Sequence, residues 1–426
     1  MIMAMMKSSN TEWLGDIPAE WDVAQIGNYY ELRNEKVSDY DFEPLSVTMK
    51  GIVPQLATAA KSDDHSNRKL VKKGDFVINS RSDRRGSCGI SPLDGSVSLI
   101  NTVMEPRGEM NPQYYNWLFH TEQFADEFYK WGHGIVDDLW TTRWQEMKKI
   151  LIVAPSPDEQ QAIADYLDET CSQIDEIIAE AKASIDEYKE LRQGVIFEAV
   201  TKGLDKNVEM KSTSVGWIGT VPLHWRVAKI RQVAEFYNGD RSSKYPSGDD
   251  IVSEGIIFIT SNNLGYIVLN TNISTNKFIT KQKYDDLGGA KLRINDIVFC
   301  LRGSVGKCAI NKTFDEGTIA SSLVVIRAKK VDADYLNYVL QNHRITDEAI
   351  VNAIGIGSLN LAAHDISEFY MPIPPEKEMQ DIVRYLDDKV GNVDDLISEK
   401  ESLINDLEAY KKSLIYEVVT GKRRVV

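Results

Sequence analysis

The sequence predicts an α+β protein built as two α/β globules in tandem, each followed by a long helix, with the two helices pairing as an antiparallel coiled coil about a pseudo-twofold axis. Three observations predict it. The phrase TEWLGDIPAEWDVAQI at residues 11–26 returns as VGWIGTVPLHWRVAKI at 215–230, a strand–turn–strand pattern occurs once in each half, and residues 155–201 repeat without a gap at 374–420. Similarity at fixed offsets is the signature of a duplicated unit.

From Met6 against Met210 the opening repeat gives 10 identities in 21 positions, with Trp13, Gly15, Pro18 and Trp21 matching Trp217, Gly219, Pro222 and Trp225. Two large indoles at fixed places predict anchoring, with Trp13 and Trp21 covering a seam between globule and helix. Next, GDFVINSRSDRRGSCGIS from Gly74 aligns with NDIVFCLRGSVGKCAIN from Asn295, which pairs Asp75 with Asp296, Val77 with Val298, Arg81 with Arg302 and Cys88 with Cys308. Each reads as an apolar strand, a basic Gly/Ser turn and a returning strand. NPQYYNWLF against DADYLNYVL predicts an amphipathic helix start in both halves.

The last repeat carries 15 identities in 47 positions. Alternating steps of four and three from Leu167 select Cys171, Ile174, Ile178, Ala181, Ile185, Tyr188, Arg192, Val195 and Ala199. The partner stripe is Leu386, Val390, Val393, Ile397, Lys400, Ile404, Leu407, Lys411, Leu414 and Val418. This is a heptad seam, and the nearest surface able to cover it is the other copy. The pairing set is therefore Leu167, Ile174, Ile178, Ile185, Tyr188, Val195, Leu386, Val393, Ile397, Ile404, Leu407 and Leu414. The opposite faces are acidic, which disfavours an anionic lipid surface. Expected boundaries are 11–154 for the first globule, 155–205 for a central helical spacer, 212–372 for the second globule and 373–426 for a C-terminal helical spacer. Antiparallel helices would place one globule at each end of the pair.

At 426 residues, 42% apolar and 27% charged, the chain suits two to four globular domains. The opening MIMAMM lacks a basic leader, and no stretch reaches the 18 apolar residues of a membrane span, so a cytoplasmic protein without membrane association is expected. Cys88, Cys171, Cys300 and Cys308 form no CxxC pair and the six histidines have no ligand spacing, so no metal is expected.

The net charge of −15 argues against a nucleic-acid partner only until its distribution is read. Residues 158–202 carry −8 and residues 376–426 carry −3, leaving −4 over the other 330 residues. Basic faces fit easily there.

These motifs carry a family resemblance. The repeated W(L/I)G-x-(I/V)P-x-x-W phrase and the repeated P…E-x-Q-x-I…YLD…E-x-V-T helix resemble the specificity subunit of type I restriction-modification systems, over essentially the whole chain. The resemblance implies two target-recognition domains, each reading one half of a bipartite site in double-stranded DNA. It also implies helical regions that set the half-site separation and dock two methyltransferase subunits, with restriction and motor subunits joining the larger complex. It implies no cofactor and no catalytic role for this chain.

Candidate DNA contacts follow from the residues themselves. Lys61 to Arg85 holds eight bases and four acids, including Arg68, Lys69, Lys72, Lys73, Arg81, Arg84 and Arg85. Lys and Arg displace counterions from phosphate, and Arg grips guanine with two bonds. In the second half the candidates are Arg302 and Lys307, with Arg241, Lys244 and Tyr245 from NGDRSSKYP, and Asn262 and Asn263 after the apolar GIIFIT. Asn can read adenine, although Ser-Asn-Asn is also ordinary turn chemistry.

Catalytic readings fail on detail. NPQY at Asn111 approaches a methyltransferase motif but has Gln113 where proline belongs, and its counterpart is DADY. GSVGK lacks the first P-loop glycine and the residue after its lysine is Cys308. AIGIGS at Ala353 is too short a glycine pattern for a cofactor loop, and EAK at Glu180 lies within a helical stripe. The alternatives are a self-sufficient DNA methyltransferase and a coiled-coil adaptor without DNA binding.

Overall fold

The computed structural model describes residues 5–58, 65–81, 84–134, 140–241, 244–270, 272, 274, 276–345, 347 and 361–425. Lys61 and the AIGIGS string lie outside these residues. The chain folds as two compact units: Met1–Lys182 with Glu401–Val426, and Ala183–Lys400. The expected helical spacers are thus shared between the units instead of standing as domains of their own.

Both units use one scaffold. In the first, the opening phrase makes a ribbon of Met6–Ser8 with Asp16–Pro18, paired Met6 to Pro18. In the second, Met210–Ser212 and Thr220–Pro222 repeat it with Met210 against Pro222. The next strand in each pairs with the last strand before the long helix: Asp22–Gln25 with Leu151–Ala154, and Arg226–Lys229 with Tyr370–Ile373. A four-stranded antiparallel sheet follows. Its order is Cys88–Ile90, Phe76–Asn79, Asn101–Pro106, Tyr30–Leu32 in the first unit. Cys308–Ile310, Ile297–Cys300, Leu323–Ala328, Ala234–Asn238 are ordered alike in the second. Strands such as Phe76–Asn79 and Ile297–Cys300 are buried at every position, which explains their unbroken apolar runs.

The two halves diverge in what is inserted between the first and second strands of that sheet. The first unit carries a hairpin, Leu45–Thr48 with Gly51–Pro54, beside the antiparallel sheet Gly95–Val97, Arg68–Val71, Lys36–Val37. The second carries Ile251–Val252, Lys277–Ile279 and Ile256–Ile259, the last pairing in parallel with Gly317–Ile319.

NPQY is a helix start. Asn111 Oδ1 accepts the N–H groups of Gln113 and Tyr114 at 2.8 and 3.3 Å, capping the helix Pro112–Phe119. Asp332 caps Ala333–Gln341 in the same way, from Asp334 and Tyr335.

The central helix spans Pro157–Lys202 and the C-terminal helix Glu376–Val419, about 69 and 66 Å at 1.5 Å per residue. Within the first unit Lys411 Nζ meets Asp175 at 2.6 Å and Lys182 approaches Glu408 at 3.8 Å, so numbers rise along one helix as they fall along the other. Leu167, Ile174, Ile178, Ile404 and Leu414 are buried in this unit. In the second unit Ile185, Leu386, Val393 and Ile397 are buried, and Tyr188 and Val195 are half-buried, as is Leu407 in the first. Arg192 interrupts the apolar seam, paired with Asp394 and stacked 3.3 Å from the Tyr266 ring. That polar position is the kind that sets register.

Each globule is closed by the start of its own long helix and by the end of the one that the other repeat supplies. In the first unit Trp21 Nε1 donates to Glu159 at 3.2 Å, Tyr416 Oη to Trp13 O at 2.8 Å, and Tyr114 Oη to Val419 O at 2.7 Å. In the second Trp225 Nε1 donates to Glu378 at 2.8 Å and Tyr335 Oη to Val200 O at 3.3 Å. Gly421 and Gly203 terminate the helices at φ of 72° and 74°, and a Cβ on either would lie about 3 Å from the ring of Trp21 or Trp225. The repeated tryptophans therefore sit at a globule–helix seam in both units.

Among the described residues no helix is long and apolar enough to cross a membrane, and no group of three His, Cys, Asp or Glu could hold a metal. The four cysteines are free and buried, and burial pushes their thiols up.

Candidate nucleic-acid interface

The basic turn of each half follows the second strand of the core sheet. In the first unit Phe76–Asn79 and Cys88–Ile90 pair Ile78 to Cys88, and the turn between them carries the arginines. Asn79 Oδ1 accepts the Arg81 N–H at 3.0 Å, and Arg81 bridges to Thr141. The Ser87 N–H donates to Arg84 O at 3.0 Å, so the turn holds itself together through its backbone. Arg84 and Arg85 are exposed, and Arg85 pairs with Asp126 and lies 6.0 Å from the Tyr129 ring.

Lys72 and Lys73 are exposed at the other end of the strand Phe76–Asn79, in the turn that precedes it. Asp75 Oδ2 accepts the Lys72 N–H at 2.8 Å and Asp94 the Lys73 N–H at 2.7 Å, leaving the ammonium groups outside. Five residues read as one basic stretch are therefore two separate groups. Arg68 and Lys69 leave the set: Arg68 is buried with Nε on Ser96 Oγ at 2.8 Å, and Lys69 Nζ donates to Asn101 O at 2.6 Å. Burial lowers the pKa of both.

In the second unit Ile297–Cys300 pairs with Cys308–Ile310. Arg302 is half-buried and Lys307 exposed in the turn between them. Arg241 and Lys244 are exposed, and Tyr245 packs edge-on against Phe258 at 5.6 Å. Asp240 steadies that segment by accepting the N–H groups of Gly288 and Gly289 at 3.3 and 2.7 Å. Asn262 is exposed. Asn263 is corrected: it is fully buried, its Oδ1 accepts from Thr260 N–H and Oγ1 at 2.8 and 3.0 Å, and its Nδ2 donates to Asn276. Turn chemistry uses its carbonyl and one N–H, and burial keeps the side chain from a base.

Sequence reasoning missed the hairpin Leu45–Pro54. Its ribbon pairs Leu45 to Pro54 and Thr48 to Gly51, with Met49 and Lys50 exposed at the tip. Gly51 seats it on the core, since a Cβ on Gly89 would lie 2.9 Å from Gly51 Cα. Leu45 and Ile52 join Val71, Val77, Val97 and Val103 in one apolar cluster beneath it. The signal was present in LSVTMKGIVP, two short apolar runs around Lys-Gly.

One scaffold used twice, with a different insert on each copy and a basic turn on each core sheet, defines the class: a tandem α/β protein. Comparison with known proteins shows what this scaffold is similar to. Residues 222–406 match the family model of the type I restriction modification DNA specificity domain. The chain is 23% identical over 448 aligned residues to the type I restriction enzyme MjaVIII specificity subunit of Methanocaldococcus jannaschii, covering 100% of this chain and 98% of that one. Its fold is similar to a chain in a structure of complex assembly and conformational transition of the type I restriction-modification system. There the TM-score is 0.71 at 15% identity, over 96% of this chain and 99% of that one. The HsdS subunit from Thermoanaerobacter tengcongensis aligns with a TM-score of 0.51 at 16% identity, over 98% and 100%. The chain resembles type I restriction-modification specificity subunits along its whole length.

Proposed function

We propose that this chain is the DNA-recognition and scaffold subunit of a type I restriction-modification complex. Each globule reads one half of a bipartite target, the paired helices set the gap, and methyltransferase subunits dock on the assembly and perform the chemistry. The observation that carries this reading is the repeat itself: an unchanged scaffold presents two different inserts, as two different half-sites require. Exposed cations on an acidic chain supply the sequence-independent attraction to phosphate.

The test is to map methylated bases across the host genome by long-read sequencing, with and without the gene. Loss of one bipartite motif on deletion is expected, and an unchanged pattern rejects the reading. Arg302→Ala should weaken one half-site and spare the other; equal loss at both contradicts modular reading. Equilibrium dialysis of the purified chain against S-adenosylmethionine should show no binding, whereas saturable binding would favour a self-sufficient methyltransferase. A chain with no salt-dependent DNA affinity, alone or with partners, would favour the adaptor.

A further inference from the structure

Beside the hairpin of the first unit lies a cleft of about 670 Å³. Sixteen residues line it and none is acidic, although 64 of 426 residues in the chain are Asp or Glu and about two would be expected by composition. Arg84 and Arg85 line it together with Ser46, Thr48 and Gln55. The exposed partner of Arg85, Asp126, is the kind of surface pair that a phosphate can replace.

We infer that this hairpin and cleft are the base-reading element of the first unit, with duplex DNA as the occupant; the inference rests on the function proposed above. A two-stranded ribbon fits the major groove, which is about 12 Å wide. The ribbon is short, its tip end is fixed on the core by Gly51 against Gly89, and the turn residues Met49 and Lys50 beside that contact reach solvent. Ser46 and Thr48 have structural tasks: Ser46 Oγ accepts the Leu56 N–H at 3.1 Å, and Thr48 Oγ1 bonds Gly51 O at 2.9 Å. Gln55 differs. Its N–H donates to Pro44 O at 3.0 Å, and its half-buried carboxamide makes no bond among the described residues. A carboxamide offers one donor and one acceptor side by side, which matches the N6 and N7 edge of adenine. Met49 is suited to apolar contact with a thymine methyl, Lys50 to guanine or phosphate, and Arg84 and Arg85 to the flanking backbone.

The reading separates the cations found above. Arg84 and Arg85 share a cleft with the hairpin, whereas Lys72 and Lys73 lie at the opposite end of their strand and take no part in base choice.

The experiment maps methylated motifs in hosts carrying the full chain as wild type, as Gln55→Glu, as the tip variant Met49→Ala with Lys50→Ala, and as Lys72→Ala with Lys73→Ala. Glutamate keeps the shape of Gln55 but removes its donor, so discrimination at one position of one half-site should fall or change by roughly tenfold to a hundredfold. The other half-site and the gap should persist, which serves as the internal control for folding. The tip variant should relax the same half-site, and the Lys72 and Lys73 variant should keep every letter. Full retention of both half-sites by the Gln55 and tip variants overturns the inference. So does loss of methylation at all sites with an unchanged unfolding transition, because a base reader acts on one half-site. Should Gln55→Glu fail to fold, the tip variant decides, since both of its side chains are exposed. A gene deletion that leaves methylation intact removes the proposed function and this inference together, whereas retained letters under an active gene remove only the inference.

Discussion

Asp75 and Asp296 occupy matching places in the two units and cap matching turns, accepting the N–H of Lys72 and of Arg293 at 2.8 Å. Each is buried and each needs a cation. In the first unit Arg33 comes from the end of the edge strand Tyr30–Leu32, bonds Asp75 at 2.6 and 3.0 Å, and reaches Glu105 as well. In the second unit Arg327 lies within Leu323–Ala328, at the place of Glu105 in the first, and bonds Asp296 twice at 2.7 Å. Tyr237 stands where Arg33 would be, its ring 4.6 Å from the Arg327 guanidinium. The scaffold therefore requires a neutralised carboxylate and not a particular pair of residues. Either neighbouring strand can supply the arginine, and the carboxylate raises the pKa of both guanidinium groups.

The shared need for a neutralised carboxylate is probed first at the acid. Asp75→Ala or Asp296→Ala leaves a guanidinium without its buried partner and should cost about 3–5 kcal/mol. Hydrogen exchange under mild denaturant should place the loss in the unit that carries the change. Arg33→Tyr with Glu105→Arg transplants the second solution into the first unit and should recover most of that stability. A double variant as unstable as Asp75→Ala would show that the two solutions are not interchangeable.

A smaller effect tests the inserts. Gly89 faces the hairpin, while Ala309 occupies its place in the second unit, fully buried, where the described residues form no such hairpin. Gly89→Ala should cost about 1–3 kcal/mol by overpacking against Gly51, and Ala309→Gly about 1 kcal/mol or less, from backbone entropy. Equal costs in chemical denaturation would separate the hairpin from the demand for glycine. At the seams, where the units agree, Trp21→Phe and Trp225→Phe should each lose about 1 kcal/mol with the bond to Glu159 or Glu378. Lys72→Ala with Lys73→Ala should fall within about 0.5 kcal/mol of the parent, since both side chains are exposed.

Much of the fold was legible because the repeated parts are repeated for a physical reason. The opening phrase, the basic turn, the capped helix and the long helix all belong to the scaffold, and each appears twice with one set of contacts. The heptad stripe was readable because burial follows helical period. The ion pairs were not readable, because Arg33 and Arg327 sit at non-equivalent positions and no alignment of the halves brings them together. The candidate contacts were legible as residue types and not as places. Arg68 and Lys72 are four residues apart, yet one is buried and the other exposed. Asn263 looked like a reader because the same amide that reads adenine also closes a turn. The hairpin is not legible because, among the described residues, it has no counterpart in the other half, and comparison of halves reveals only what they share.

On the proposed function, two independent readers act at a separation fixed by the paired helices. Removing one heptad from each long helix shortens both by about 10 Å, close to three base pairs at 3.4 Å each. When the methylated motif of that variant is mapped, both half-sites should keep their letters while the gap between them contracts. Half-sites at the original spacing, or new letters at a shortened one, would contradict that function.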